Sequence, residues 1–277
     1  MSESRLNQPL HGPQYDLRAL GFKTHEVLVV TGAGSGIGKA TAIMAAKSGL
    51  AVGLWDVDLA GANETAREIA AAGGNSLAVA VDVGEDEAVT KAWEATRALG
   101  PCRYLVNNAG PGSSSTGAFN DNLTLAVGSV HRVTTSWLEL HAGVAASVVS
   151  ISSVAGNFMG GSETLQAFYP AAKGAIAAYT RHLATRYKGK PRANAIAPGV
   201  ILTPRTIPYL GQPAMSGNIA RIPMGRAGFP EEIAAAVMFL LSPAAIRPPS
   251  GRTTVDLRGR LSCSPIAPIT PTGRPST

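Results

Sequence analysis

Apolar positions alternate along this chain in segments of two lengths. Short runs rich in β-branched residues, Glu26–Thr31, Leu50–Asp56, 77–82, 103–107, 145–152 and 192–197, read as buried strands. Longer stretches at helical spacing lie between them: 37–48, 59–72, 85–99, 119–142 and 165–187. Gly49, Gly73 and Gly100 stop three of these. A further helix is predicted over 230–242, where Pro230-Glu231-Glu232 makes a favourable first turn. Strand and helix alternate throughout, so the strands run parallel and are joined by right-handed crossovers. The fold class is α/β, a single doubly wound domain over 26–246.

The two ends differ from this body. Residues 1–25 are polar and aperiodic and contain Pro9 and Pro13, which suits an extension lying on the surface. Residues 247–277 hold six of the nineteen prolines and form a Pro/Arg-rich tail, with one short strand predicted around Thr253 to Leu257. From Ser262 onward only Ile266 and Ile269 are large and apolar, so that stretch is expected to be extended or disordered.

Composition narrows the function classes. With 45 % hydrophobic and 15 % charged residues, the 277-residue chain has ample material for a core. Its longest clean apolar run, Ile233–Leu241, is nine residues, and a membrane span needs about 20. The net charge of +6 suggests an acidic partner until it is located. Five arginines against Asp256 put +4 of it in 247–277, and the body keeps only +2. Neither nucleic acid nor a membrane is therefore an expected partner. Cys102 and Cys263 lack metal-ligand or disulfide-framework spacing, and His131, His141 and His182 lack metal-ligand spacing. Trp55, Trp93 and Trp137 are expected to serve packing. The first residues, MSESRLNQPLHGPQ, carry no basic-then-apolar signal pattern, so a reduced cytoplasmic location is expected.

The candidate chemistry begins where the first strand ends, at Thr31-Gly32-Ala33-Gly34-Ser35-Gly36-Ile37-Gly38. Glycines let the backbone approach a pyrophosphate, and the helix that follows offers free N–H groups to it. Eighteen residues after Gly38 the second strand ends at Asp56. A carboxylate there accepts hydrogen bonds from adenosine-ribose hydroxyls and repels a 2′-phosphate, which favours NAD over NADP.

Four more segments follow in order: Asn107-Asn108-Ala109-Gly110, Ser152-Ser153, Tyr169-x3-Lys173 and Pro198-Gly199-x-Ile201-x-Thr203. With the glycine turn they resemble the short-chain dehydrogenase/reductase superfamily from about Val27 to Pro243. The resemblance implies a Rossmann-type domain with a mostly parallel seven-stranded sheet, assembled as a homotetramer or homodimer. It implies a catalytic set of Asn122, Ser153, Tyr169 and Lys173, with Asn120 as the neighbour that competes for the asparagine role. Tyr169 would be the general acid/base, its pKa lowered by the ammonium of Lys173, which also binds the nicotinamide ribose. Ser153, taken over Ser152, would hold the substrate oxygen. The cofactor-binding residues implied are Gly32, Gly34, Ser35, Gly36, Ile37, Gly38, Asp56, Asp82, Val83, Asn108, Ala109, Gly110, Tyr169, Lys173, Pro198, Gly199, Ile201 and Thr203. Asp82-Val83 is read as the end of the third strand, beside the adenine.

Two departures from the family pattern stand out. The serine-to-tyrosine spacing is about three residues long, an insertion placed around Gly160 to Glu163. The last strand lacks the small residues usual there, since Leu257 and Arg258 occupy those positions. Substrate walls are expected from Pro111 to Ser113, Asn157 to Met159, Gln166, and a lid over Pro204 to Ile222. Ile207, Tyr209, Leu210 and Met215 in that lid suit an apolar alcohol or ketone, whereas Arg205 and Arg221 suit an anionic one. The function expected is hydride transfer between NAD(H) and a secondary alcohol or ketone. The alternatives are an NADPH-dependent carbonyl reductase and a non-catalytic dinucleotide-binding sensor; a methyltransferase has no use for Tyr169-x3-Lys173.

Overall fold

The computed structural model describes Leu17 and residues 20–141, 146–157, 165–220, 222–245, 254–256 and 260–261. Six parallel strands form its centre: β1 (Val27–Thr31), β2 (Ala51–Asp56), β3 (Ser76–Ala80), β4 (Tyr104–Asn107), β5 (Ser147–Ile151) and β6 (Arg192–Ala197). Their order across the sheet is β3-β2-β1-β4-β5-β6. Beyond β6, Thr254–Asp256 pairs parallel with it and Arg260–Leu261 pairs antiparallel with Thr254–Asp256. The sequence pattern gives no hint of that last pairing.

The helices are α1 (Gly36–Lys47), α2 (Leu59–Ala71), α3 (Asp86–Thr96), α4 (Phe119–His141), α5 (Val154–Asn157), α6 (Phe168–Arg186), α7 (Pro213–Ala220) and α8 (Pro230–Leu241). They cover both faces of the sheet, which is why every residue of β1, β4 and β5 is buried. Side chains alternate between two cores. Leu28, Val30, Val52 and Leu54 pack on one face with Ala42, Ala45, Ile233, Val237 and Leu241 of α1 and α8. Val27, Val29, Leu105 and Val148 pack on the other with Trp93, Val133 and Trp137 of α3 and α4. The three tryptophans are fully buried, as the sequence reading expects. Trp55 and Trp93 meet edge to face at 4.5 Å, and Trp137 donates to the Cys102 carbonyl at 2.8 Å.

Several boundaries differ from the pattern. The third strand ends at Ala80, not at 82, because Asp82 turns back to accept the Gly84 N–H at 2.8 Å. Asp82 and Val83 therefore lie in the turn after β3. The helix predicted over 85–99 becomes α3 plus a tighter turn, Arg97–Leu99, and that over 165–187 starts only at Phe168. The short helices α5 and α7 are additions. The expected surface extension is packed at its end: Leu17, Leu20 and Phe22 touch the α1/α8 core, and Phe22 meets the Tyr104 ring at 5.2 Å. The insertion at 160–163, Arg221, Cys263 and the tail from Ser262 lie outside the described residues.

Strand order reverses between β1 and β4, so the loops leaving their C-terminal ends diverge and open a crevice. Thr31 ties these two loops together. Its hydroxyl accepts the N–H groups of Asn108 (3.0 Å) and Ala109 (3.1 Å) and donates to the Val106 carbonyl (3.2 Å). Thr31→Val keeps the shape and orphans both amides, so it should cost about 2–4 kcal/mol. The check is the urea midpoint, and an unchanged midpoint would show that Thr31 does not organise the crevice.

Candidate active site

The glycine turn sits at the mouth of this crevice. Gly32 and Gly36 hold positive φ, +69° and +53°, which only glycine adopts without strain. Asn108 reaches across and donates from Nδ2 to the Thr31 and Gly32 carbonyls, both at 3.0 Å. Ser35 is the N-cap of α1 but makes no side-chain capping bond. The first-turn amides therefore point outward with no intrahelical acceptor. The Asp56 carboxylate takes the N–H groups of Gly34 (2.7 Å) and Asp58 (2.9 Å), which fixes it at the end of β2 beside the turn.

A dinucleotide fits these residues. A Cβ on Gly36 would stand 3.1 Å from Thr203 Cγ2, so the turn approaches the loop after β6 closely. A Cβ on Gly110 or Gly199 would meet nothing within 4 Å, so space remains between the loops after β4 and β6. Thr203 is itself pinned, its N–H donating to Thr206 Oγ1 at 2.9 Å, while Thr206 donates to the Ile201 carbonyl. Ile201 bridges to Gly228, and the Pro198 carbonyl accepts from Val154 N–H at 3.1 Å.

Ser153, Tyr169 and Lys173 converge at the C-terminal end of β5. Tyr169 lies in the first turn of α6 and Lys173 one turn later, on the same side. Ser153 hydrogen-bonds Tyr169 and also accepts the Ala155 N–H at 3.2 Å. Ser152 points elsewhere and donates to the Lys173 carbonyl at 2.6 Å. The two adjacent serines thus have separate tasks, one toward the tyrosine and one holding α6 to the sheet. Lys173 Nζ donates to the Ile151 carbonyl at 2.8 Å and lies 5.6 Å from the Tyr169 ring centroid. Among the described residues its other two N–H donors have no partner and remain for ligand hydroxyls.

The electrostatics correct one expectation. The Tyr169 pKa is raised here, not lowered. Burial is the largest influence and raises it, while the Ser153 hydrogen bond and the Arg205 guanidinium pull it down. Lys173 is itself brought down to about 8, by burial first and by Arg205 second. Arg205 thus acts on both groups.

Asn122 is buried near the start of α4 and donates to the Thr116 and Ala118 carbonyls at 3.3 Å. Its described contacts are local and do not join it to Ser153, Tyr169 or Lys173. Asn120 is exposed. Cys102 is buried, and burial pushes its thiol up to about 11, so it is inert packing.

Residues 32–248 match the family model described as enoyl-(acyl carrier protein) reductase. The chain belongs to the short-chain dehydrogenase/reductase superfamily. It is 35 % identical over 225 residues to galactitol 2-dehydrogenase (L-tagatose-forming) of Cereibacter sphaeroides, covering 78 % of this chain and 87 % of that one. It is 32 % identical over 232 residues to cyclohexanol dehydrogenase of an Acinetobacter strain, covering 79 % and 88 %. Among solved structures it resembles a 3-ketoacyl-(acyl-carrier-protein) reductase from Brucella melitensis complexed with NADH, with TM-score 0.70, 32 % identity, and 80 % and 93 % of the chains covered. A putative NAD(P)-dependent gluconate 5-dehydrogenase from Beutenbergia cavernae with bound NADP gives TM-score 0.70 and 33 % identity over 79 % and 90 %. The chain is thus an oxidoreductase of the class that acts on alcohols and binds a nicotinamide dinucleotide. Among the described residues no helix is long and apolar enough to cross a membrane.

Proposed function

We propose that this chain is an NAD-dependent dehydrogenase acting on a secondary alcohol or the corresponding ketone. The observation that carries this reading is the Ser153–Tyr169–Lys173 cluster beside the crevice between the glycine turn and the loops after β4 and β6. Membership alone would not carry it. A Xanthobacter autotrophicus relative, 36 % identical over 215 residues and covering 73 % of this chain and 91 % of its own, is named inactive 2-(S)-hydroxypropyl-CoM dehydrogenase 2.

When bound, the nicotinamide supplies the hydride acceptor or donor. The protein holds and polarises. The Gly32–Gly38 turn and the first-turn amides of α1 hold the pyrophosphate, with Thr203 within reach of a phosphate oxygen. Lys173 holds the nicotinamide ribose through its two spare donors. Ser153 donates to the substrate oxygen and stabilises its developing negative charge. Tyr169 removes the hydroxyl proton in oxidation and returns it in reduction. Asn108, Ala109, Gly110, Pro198, Gly199 and Ile201 line the cofactor's path, and Asp82 and Val83 border the adenine from the turn after β3. Asn122 enters as the fourth catalytic residue through its place on α4.

Asp56 supports NAD over NADP, because its charge repels a 2′-phosphate. Asp56→Asn removes that charge and keeps an acceptor for Gly34. It should lower the NAD-over-NADP ratio of kcat/KM by about 10- to 100-fold, the scale of a lost charge-assisted contact. A wild type that already prefers NADP would overturn the cofactor assignment. We further infer one catalytic domain over 26–246, acting in the cytoplasm as a homodimer or homotetramer. Exposed Phe119, Leu125 and Leu140 on α4 and Phe239 on α8 favour self-association.

A further inference from the structure

Arg205 stands out among the charged residues around the crevice. It lies between Thr203 and Thr206, whose hydrogen bonds hold this stretch rigid. Its side chain lies across the loop after β4. The point a Cβ would occupy on Gly112 is 3.2 Å from Arg205 Cδ and 3.4 Å from both Nε and Nη1. Any larger residue at 112 would push the guanidinium away. That loop continues to Ser113, whose carbonyl accepts the Gln166 N–H at 3.1 Å, just before Tyr169. The guanidinium therefore sits on the substrate side of the crevice, near the tyrosine.

No acidic partner of this cation is found among the described residues. Among the described residues Arg205 has no ion pair or hydrogen bond, unlike Arg132 with Asp86 and Arg226 with Glu232. The groups acting on Tyr169 and Lys173 include Arg205 and no carboxylate. Two cations thus face one site, with no acidic side chain between them among the described residues. Such a pair repels until an anion arrives. Arginine presents a planar fork of donors that matches a carboxylate or sulfonate in two parallel hydrogen bonds.

We propose that Arg205 anchors an anionic group of the substrate, so that the alcohol or ketone carries a carboxylate or sulfonate as well as its reacting carbon. This rests on the dehydrogenase reading above. The exposed Ile207 and Tyr209 that follow Arg205 are then available to cover the carbon skeleton.

The test compares wild type with Arg205→Met and Arg205→Lys. Matched substrates are isopropanol, lactate and methyl lactate, and cyclohexanol, 4-hydroxycyclohexanecarboxylate and its methyl ester. The readout is the ratio of kcat/KM on the anionic member to that on its neutral partners. The ratio cancels any effect of the guanidinium on Tyr169, which all members share. Calorimetry adds the dissociation constants of cyclohexanecarboxylate and cyclohexanesulfonate on the NADH-loaded protein, and of NADH on the protein alone. Arg205→Met should lower the ratio and weaken carboxylate or sulfonate binding by about 10- to 100-fold, as expected for a lost charge-assisted pair. Arg205→Lys should recover part of both. An unchanged ratio with unchanged anion binding overturns the assignment. Weaker NADH binding with an unchanged ratio also overturns it, by giving the guanidinium to the cofactor phosphates. Arg205-dependent anion binding without turnover of any alcohol supports the anchor and contradicts the dehydrogenase reading instead.

Discussion

Tyr169→Phe should retain NADH affinity and lose turnover by at least about 100-fold, the scale of general acid–base catalysis. The ring stays and only the hydroxyl goes, so α6 and its contacts to β5 are preserved. Ser153 and Lys173 would still hold their ligands, yet no group would remain to move the proton. The pH profile gives a second reading of the same change. Burial keeps the Tyr169 hydroxyl above its ordinary range, so alcohol oxidation by the wild type should rise as pH increases and the phenolate forms. That rise should be absent in Tyr169→Phe. Steady-state kinetics across pH on both proteins checks both statements, and unchanged turnover would remove Tyr169 from the mechanism.

Gly38→Ala should abolish tight NADH binding. A Cβ at position 38 would fall 1.9 Å from the Gly32 carbonyl oxygen and 2.7 Å from Asn108 Nδ2. The carbonyl is backbone of the turn with no free rotamer to escape into, and Asn108 is the side chain from the loop after β4 that closes it. Either α1 shifts away from β1 or the Asn108 contacts to Thr31 and Gly32 break. Overpacking of this kind costs about 1–3 kcal/mol and sometimes more, so the unfolding midpoint should fall as well. The affinity loss should exceed what the lost stability explains if the turn is the phosphate cradle proposed above. Fluorescence titration with NADH at a temperature where circular dichroism shows a folded protein separates the two.

The sheet was legible because its strands are covered on both faces. β1 and β2 are near-continuous apolar runs ended by a glycine cluster or an aspartate, and β5, with Ser147 and Ser150 buried among valines and Ile151, ends in a serine pair. Helix and strand ends were less legible, since they depend on side chains such as Asp82 turning back on Gly84. Of the candidate site, residue types and order are readable in the sequence, and the choice of Ser153 over Ser152 comes from the family resemblance. What could not be read were partners far apart in the chain. Thr31 meets Asn108 across 77 residues, and Ser152 meets the Lys173 carbonyl across 21. The direction of the Tyr169 shift was missed for a related reason. A Tyr-x3-Lys spacing says that the two side chains share a face, but burial and the turn of the ammonium toward Ile151 are tertiary facts. In the sequence Arg205 stands with Arg221 as a lid arginine suited to an anionic substrate. Its position over Gly112, without an acidic partner among the described residues, is what the fold adds.

The most direct test of the central claim follows NADH formation by its near-ultraviolet absorbance. Wild type and Tyr169→Phe are mixed with NAD and the alcohol panel, using both normal alcohols and alcohols deuterated at the carbinol carbon. The account predicts that the wild type forms NADH and the corresponding ketone in equal amounts, more slowly with the deuterated alcohol, and that Tyr169→Phe forms almost none. Tight NADH binding by the wild type with no NADH formed from any alcohol, and none consumed by any ketone, would contradict it and identify a dinucleotide-binding sensor.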